Sequence, residues 1–313
     1  MIVFGPVPSR RLGRSLGVNN IPPKHCSYSC VYCQLGITRN LETQRSRFYD
    51  PEVVVAEVTA RIGQLREANE PVDFITFVPD GEPTLDINLG QEIAGLTELG
   101  IPIAVITNSS LLWMDSVRAD LAGASLVSVK VDAVNELAFR KVDRAHHSLS
   151  LASILAGITT FSSQFTGEII TETMLVGGMN DTEQELRDTA TFIASLHPSR
   201  SYIGVPTRPP AEPWIKLATE QALIMAHQIF REKLDIVEML ITPEEGDFVT
   251  TDDMERDLLS IVSVHPMRED DLLKTLSAGG SNFSLVDRLV REGRITKTVY
   301  GGTAFYIRNL HQD

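Results

Sequence analysis

All three cysteines of the 313-residue chain lie within eight positions, at Cys26, Cys30 and Cys33. An odd, clustered set is unsuited to disulfides, which use cysteines in pairs. Thiolates are soft ligands that favour zinc or iron–sulfur centres, so the spacing C-x3-C-x2-C predicts a metal site. His25 precedes the first cysteine, so these residues alone leave a Cys3His zinc site open. Three unrelated core cysteines are a further alternative, which the tight clustering disfavours.

The remaining composition is that of an ordinary globular protein. Hydrophobic residues make up 43% and charged residues 22% of the chain, which supplies enough apolar material for a large core. No apolar run reaches the roughly 18 residues that a membrane-spanning helix needs. The first residues lack the charged start and apolar stretch of a signal peptide. Because reduced cysteines are implied as well, we expect a cytoplasmic protein without membrane association.

The net charge of −13 disfavours non-specific binding to nucleic acids, which depends on cationic side chains that neutralise phosphates. A local basic patch lies near the start, at Arg10, Arg11 and Arg14. These arginines either form ion pairs with an acidic body or anchor an anionic group of a substrate. Both interpretations remain open from the sequence.

From about residue 50 to 240, apolar runs rich in β-branched residues alternate with helix-length amphipathic stretches. This alternation predicts an α/β fold with a parallel sheet of about six βα units. Strands are predicted at 15–18, 73–78, 101–106, 125–131, 168–176 and 201–205. Sites in such folds lie at the carboxyl ends of the strands. The cysteine loop directly follows the first predicted strand, so it is expected at that edge.

The order of predicted helices and strands changes in the C-terminal tail. This change predicts two domains, residues 1–245 and a small module at 246–313. Helices are predicted at 252–263, 268–276 and 281–292, and strands at 294–299 and 304–307. This order is typical of a winged-helix module. Its basic residues are those of a possible nucleic-acid reader: Arg288, Arg291, Arg294 and Lys297. Its acidic residues favour instead a small interaction module: Asp252, Asp253, Glu255, Asp257, Glu269, Asp270 and Asp271.

The cysteine spacing resembles the signature of the radical S-adenosylmethionine (SAM) superfamily, and the resemblance extends over about residues 15–240. It implies a [4Fe–4S] cluster held by Cys26, Cys30 and Cys33, with the fourth iron open for SAM. It also implies an open, partial (β/α)6 barrel, which agrees with the six βα units. Because several further motifs match the superfamily, the cluster is favoured over zinc.

Two of these motifs follow predicted strands. The segment Asp80-Gly81-Glu82 is similar to a Gly-Gly-Glu segment whose backbone binds the SAM amino group, with Asp80 in place of the first glycine. Glycine lets a backbone approach a ligand closely. Asn108 lies in a turn that looks like the one near the SAM carboxylate. The same turn is a plausible N-cap for the following helix, and both roles are compatible.

Four other residues resemble contacts to SAM. Lys130 and Asp132 alternate on a valine-rich strand, so they point to the same face, and they look like ribose- and carboxylate-contacting residues. The alternative is a structural Lys–Asp pair. Tyr32 matches an aromatic position that packs on adenine. Gly177 lies in a segment that resembles the glycine-bearing stretch beside adenine.

The resemblance implies an enzyme. A one-electron donor of the flavodoxin or ferredoxin type would reduce the cluster, and SAM would yield methionine and a 5′-deoxyadenosyl radical that abstracts hydrogen from a substrate. Residues 140–147 are predicted to be a polar loop at the active face, as are residues 205–214. Arg144, Arg208 and Trp214, together with Arg10, suit an anionic or aromatic substrate.

The substrate class stays open. The runs 5–17 and 33–36 resemble a group related to wyosine-type tRNA modification enzymes, but no cysteine remains for the second cluster of those enzymes, and the chain is acidic. We expect a small molecule or a protein side chain as the substrate. The alternatives are a glycyl-radical activase, an RNA-modifying enzyme, and a non-catalytic iron–sulfur redox sensor. The C-terminal module would bind a protein or RNA partner.

Overall fold

The computed structural model describes residues 2–242, 248 and 253–309. In chain order the strands are β1 (Val3–Ser9), β2 (Gly13–Val18), β3 (His25–Cys26), β4 (Asn40–Leu41), β5 (Phe74–Phe77), β6 (Ile103–Thr107), β7 (Leu126–Lys130), β8 (Glu168–Met174), β9 (Arg200–Gly204), β10 (Val237–Leu240), β11 (Met267–Arg268), β12 (Ile295–Tyr300) and β13 (Thr303–Arg308). The α-helices are α1 (Pro51–Glu67), α2 (Leu89–Leu96), α3 (Asp115–Leu121), α4 (Glu136–Val142), α5 (Leu151–Gln164), α6 (Glu183–Ser195), α7 (Glu220–Arg231), α8 (Met254–Val264), α9 (Glu269–Ala278) and α10 (Ser284–Arg291).

The main sheet has eight strands in the order β1-β2-β5-β6-β7-β8-β9-β10. Strands β2 to β10 of this sheet pair in parallel, and β1 pairs antiparallel with β2 at one edge. Because neighbours in the sheet follow one another along the chain, the sheet curls in one direction into an open half-barrel. The α/β class and the partial-barrel architecture predicted from the sequence are confirmed.

Local sequence explains why the helices begin and end where they do. Helix α1 starts after Asp50, whose side chain accepts a hydrogen bond from the amide of Glu52, and proline occupies its first position. Its buried stripe follows the helical period, and consists of Val54, Val58, Ile62 and Leu65. The turn after α2 ends at Gly100, which has a φ of 69°, a conformation that glycine adopts without strain.

Helix α4 and five strands were not predicted, and three of those strands, β3, β4 and β11, have only two residues each. Strand β1 contains two prolines, which the ladder tolerates because β1 lies at the edge of the sheet. Strand β10 has only four residues. The prediction of a loop over 140–142 is wrong, because α4 extends to Val142, with Asn135 capping the amides of Leu137 and Ala138.

The tail forms a second hydrophobic cluster built from α8, α9, α10 and a small sheet in the order β11-β13-β12. It contacts the half-barrel: Val7 packs on this cluster, and Arg61 lies 3.8 Å from Asp257. The predicted boundary at 245/246 and Asp252 lie outside the described residues, so the division into two domains stays a prediction, as does the winged-helix assignment. Across the described part of the chain, no helix is long and apolar enough to span a membrane.

Candidate functional site

A cavity of about 300 Å3 opens at the carboxyl edge of the half-barrel. Its walls come from the cysteine loop, the segments that follow β5 and β6, the ends of β7 and β8, and the segment after β9. A volume near 300 Å3 is at the lower end of the usual range for small-molecule sites, about 300–1,000 Å3. The cavity therefore lies where parallel α/β folds hold their ligands.

Cys26, Cys30 and Cys33 all line this cavity. The loop that carries them is tied to the end of α4, because the Val31 amide donates to the Val142 carbonyl at 2.9 Å. Burial raises the pKa of all three thiols. Ligation to iron offsets the cost of ionising these buried thiols, because a coordinating metal deprotonates them outright. The donor set therefore fits a thiolate-bound cluster.

The alternative Cys3His zinc site does not fit this geometry. Both ring nitrogens of His25 are engaged elsewhere, Nδ1 with Glu42 Oε1 at 2.5 Å and Nε2 with Asn40 Nδ2 at 2.9 Å. With both nitrogens engaged, His25 offers no free donor for the fourth position of a Cys3His zinc site.

Glu82 joins the segments that follow β5 and β6. Its Oε1 accepts hydrogen bonds from the hydroxyls of Thr84 and Thr107, both at 2.6 Å, and its Oε2 accepts from the amide of Asn108 at 2.7 Å. Burial raises the pKa of Glu82, and the hydrogen bonds from Thr107 and Thr84 oppose that rise. Glu82 and Asn108 both line the cavity. Asn108 Nδ2 lies 3.5 Å from Cys26 Sγ, so the hydrogen bonds around Glu82 connect directly to the cysteine loop.

Gly81 sits where only glycine fits. Its φ is 156°, and a Cβ atom there would meet the carbonyl oxygen of His25 at 1.9 Å. Gly81 lines the cavity, and its contact with the SAM amino group stays a prediction. The preceding residue turns away: Asp80 Oδ1 lies 3.3 Å from Lys24 Nζ, and both side chains are buried. Burial raises the pKa of Asp80, and the Lys24 ammonium lowers it.

A network of charged side chains crosses the floor of the cavity. Lys130 Nζ lies 3.1 Å from Glu172 Oε1 and 3.8 Å from Asp132 Oδ1. Arg11 also pairs with Glu172. Lys130 lies 5.0 Å from the centre of the Tyr32 ring, and the Tyr32 hydroxyl donates to Asp132. Lys130 and Tyr32 line the cavity, whereas Asp132 lies behind them.

The structure brings some predicted substrate residues to the cavity and not others. Arg10 and Arg208 line it. Arg144 is not among the lining residues: it pairs with Glu212 and lies 5.7 Å from the ring centre of Trp214.

Gly177 is also away from the cavity. An added Cβ would meet the Leu217 carbonyl oxygen at 2.5 Å, so this glycine serves packing.

Glu172 and Arg11 also line the cavity, although Glu172 was not predicted from the sequence and Arg11 was given no definite role. The signal for Glu172 was available, since it is a charged residue within a buried strand, as Lys130 is, and the two are paired in register. Gln34 was also missed. It accepts a hydrogen bond from Arg208 Nη1 at 2.7 Å and donates to the Val264 carbonyl at 3.2 Å, which connects the cavity to the end of α8.

Comparison with known proteins agrees with this geometry. Residues 20–193 match the family model of the Radical SAM superfamily. A UPF0026 protein from Methanocaldococcus jannaschii is 45% identical over 311 residues, which cover 99% of this chain and 96% of that protein. A UPF0026 protein from Helicobacter pylori is 29% identical over 310 residues, which cover 97% of each.

Two solved structures share the fold. A radical SAM methyltransferase from Sphaerobacter thermophilus matches with a TM-score of 0.53 and 17% identity, over 72% of this chain and 66% of that chain. The structure of TYW1 with a lysine-pyruvate adduct bound matches with a TM-score of 0.53 and 18% identity, over 71% of this chain and 74% of that chain. At such identities the likeness describes the fold.

Proposed function

The chain belongs to the radical SAM superfamily, and from that premise we propose that it cleaves SAM reductively to abstract hydrogen from a small molecule or a protein side chain. Members of this superfamily are enzymes that bind a [4Fe–4S] cluster and SAM. One observation carries the proposal: every thiol of the chain faces the same cavity as Gly81, Glu82, Asn108 and Lys130. This arrangement gathers cluster ligands and SAM-site candidates from separate strands into one place.

Cys26, Cys30 and Cys33 would hold the cluster. When bound, the cluster would supply one electron to SAM. Cleavage of a carbon–sulfur bond of SAM then gives methionine and a 5′-deoxyadenosyl radical, which takes a hydrogen atom from the substrate. The electron would come from a flavodoxin- or ferredoxin-type donor. Three cysteines leave the fourth iron without a protein ligand, which is where SAM would bind.

The protein's own residues would bind and orient SAM. The backbone at Gly81 is closely packed, and the Glu82 carboxylate accepts a hydrogen bond from the Asn108 amide. These contacts fix the loop after β5, which supports a role for it in holding the SAM amino group. Lys130, held by Glu172, would contact the ribose or the carboxylate. Tyr32 offers a ring face beside Lys130, and Asp132 positions its hydroxyl. For Asp80, Gly177, Arg144 and Trp214, their positions away from the cavity support positioning roles only.

The charges at the cavity mouth favour an anionic substrate. Arg10 donates to the Thr242 carbonyl at 2.6 Å, and Arg208 donates to Gln34 and lies 2.9 Å from His265 Nε2. Guanidinium groups bind carboxylates and phosphates through paired N–H donors. We therefore place Arg10 and Arg208 at the substrate end of the cavity.

RNA modification is a weaker candidate. Three of the four basic residues considered for nucleic-acid binding pair with neighbouring carboxylates: Glu255 pairs with both Arg288 and Arg294, and Glu269 pairs with Lys297. Phosphate recognition depends on cations that gain by releasing counter-ions. A protein partner on this module fits these paired charges better.

The direct test is anaerobic. The cluster is reconstituted, dithionite and SAM are added, and 5′-deoxyadenosine is measured by chromatography, with Cys30→Ala as the control. We expect product from the natural chain and none from the variant. An intact four-iron cluster that yields no 5′-deoxyadenosine would instead support the redox-sensor alternative.

A further inference from the structure

A lysine is buried beside the cysteine loop. The side chains of Lys24 and Asp80 are 8% and 7% exposed, and Lys24 Nζ lies 3.3 Å from Asp80 Oδ1. Apart from this ion pair, Lys24 Nζ has no hydrogen-bond acceptor within the described residues. An ammonium group carries three N–H donors, so at least two of them find no acceptor in this part of the chain. Burial of such a group is costly, and an ion pair alone is a weak reason to retain it.

The backbone holds Lys24 in place at a further cost. Lys24 has a φ of 68°, a left-handed conformation that residues with a side chain rarely adopt. Its amide donates to the Asp80 carbonyl at 2.7 Å, and its carbonyl accepts from the Asn40 amide at 3.0 Å. Glycine at this position would relieve the strain but would remove the ammonium group. A strained and buried lysine therefore indicates a use for the charge.

The ammonium group lies against the turn that follows the last cysteine. The Gly36 amide donates to the Cys33 carbonyl at 3.1 Å, which closes this turn. Lys24 Nζ lies 3.9 Å from the position that a Cβ atom on Gly36 would take. Burial raises the pKa of the Cys33 thiol, the Lys24 ammonium opposes that rise, and the Asp80 carboxylate acts more weakly in the opposite direction to Lys24. The positive end of the pair is therefore the one that Cys33 experiences more strongly.

We propose that Lys24, positioned by Asp80, raises the reduction potential of the cluster that the three cysteines hold. Reduction adds one electron to a centre whose thiolate ligands are already negative, and a buried cation beside one ligand stabilises the added charge. A higher potential eases the transfer of that electron from the flavodoxin- or ferredoxin-type donor. The inference rests on the cluster of the proposed function, and it is independent of SAM cleavage and of the substrate.

The test measures the reduction potential of the reconstituted cluster in the full chain without SAM. An anaerobic redox titration is followed by the electron paramagnetic resonance signal of the reduced cluster. Lys24→Met removes the charge and keeps the length of the side chain. It should lower the equilibrium constant for reduction by about tenfold, a shift of about 59 mV to more negative potential for one electron. The matched control Lys233→Met, an exposed lysine just after α7, should leave the potential unchanged.

Asp80→Asn provides a second variant with the opposite sign. It removes the opposing negative charge, so its potential should be more positive than that of the natural chain. Shifts of opposite sign in Lys24→Met and Asp80→Asn support the proposal. An unchanged potential in Lys24→Met overturns it and leaves the pair a structural role, because a structural defect alone lowers stability.

The proposal stays testable if Lys24→Met does not fold or does not hold iron, because Asp80→Asn then decides it. A more positive potential in that variant supports the proposal, and an unchanged or more negative one overturns it. Failure of the proposed function is a separate result: a natural chain with a measurable cluster potential that yields no 5′-deoxyadenosine would contradict SAM cleavage and leave this comparison of potentials intact.

Discussion

The charged residues of the half-barrel and those of the C-terminal module are used in different ways. In the cavity floor, the side chains of Arg11, Glu172 and Lys130 are 18%, 14% and 17% exposed. In the module, Arg288 and Glu255 are 46% and 30% exposed. Water screens the second pair but reaches the first network poorly, so each charge in the cavity matters more. Surroundings, rather than residue type, separate the poorly solvated charges of the cavity from the solvated charges of the module.

The largest effect of a single substitution in the half-barrel is expected from the loss of a cluster ligand. Cys33→Ala removes one of three thiols that line the cavity, so the variant should lose most of its iron after anaerobic reconstitution. Iron and sulfide content, with the visible absorption of the cluster, measure this directly. Ser29→Ala, in the same loop, should keep its iron. Full iron in Cys33→Ala would contradict the assignment of the ligands.

The second effect concerns the buried carboxyl of Glu92 and pH. Because burial raises its pKa from 4.5 to about 8, the folded state binds the proton more tightly than the unfolded state. The protonated Glu92 carboxyl therefore adds at most about 5 kcal/mol to the free energy of unfolding. This contribution is complete below pH 4.5 and is lost as the pH rises to 8. Urea unfolding of the natural chain minus that of Glu92→Gln, measured across this pH range, should show this fall. A difference that stays flat with pH would contradict the account.

A smaller effect is expected at the cavity floor. Glu172→Gln leaves Lys130 and Arg11 without their shared carboxylate in a poorly solvated space, and should lower the free energy of unfolding by about 2 kcal/mol. Urea unfolding at pH 7 measures the loss. The control Glu168→Gln, exposed at the start of the same strand, should be nearly neutral. An equal loss in both variants would remove the distinction between buried and exposed charges.

The smallest effect is expected in the module. Glu255→Gln breaks the pairs with Arg288 and Arg294, yet solvent replaces most of the lost interaction. The unfolding midpoint should stay within error of the natural chain. A loss as large as that of Glu172→Gln would break the comparison between the two regions.

Sequence reasoning predicted the elements whose signals are local. The cysteine spacing, the βα alternation and the glycine at 81 all depend on neighbouring residues, and the structure has them where they were expected. Edge strand β1 escaped because its prolines hide the strand pattern.

The assembly of side chains from distant segments was harder to predict. Glu172 meets Arg11, 161 positions earlier, only because β8 and the N-terminal segment reach the same edge of the sheet. Trp214 was expected at the active face, but it does not line the cavity, and the Glu212 amide donates to the Val31 carbonyl at 3.0 Å, which ties that segment to the cysteine loop. Such long-range contacts leave no periodic trace in the sequence.

The central claim is that three cysteines hold a cluster with an open iron facing the SAM cavity. The most direct measurement is the low-temperature electron paramagnetic resonance spectrum of the dithionite-reduced, anaerobically reconstituted chain, recorded with and without SAM. The account predicts a reduced four-iron signal that shifts when SAM is added, because SAM binds the open iron. A signal that SAM leaves unchanged, or a chain purified anaerobically with zinc in place of iron, would contradict it.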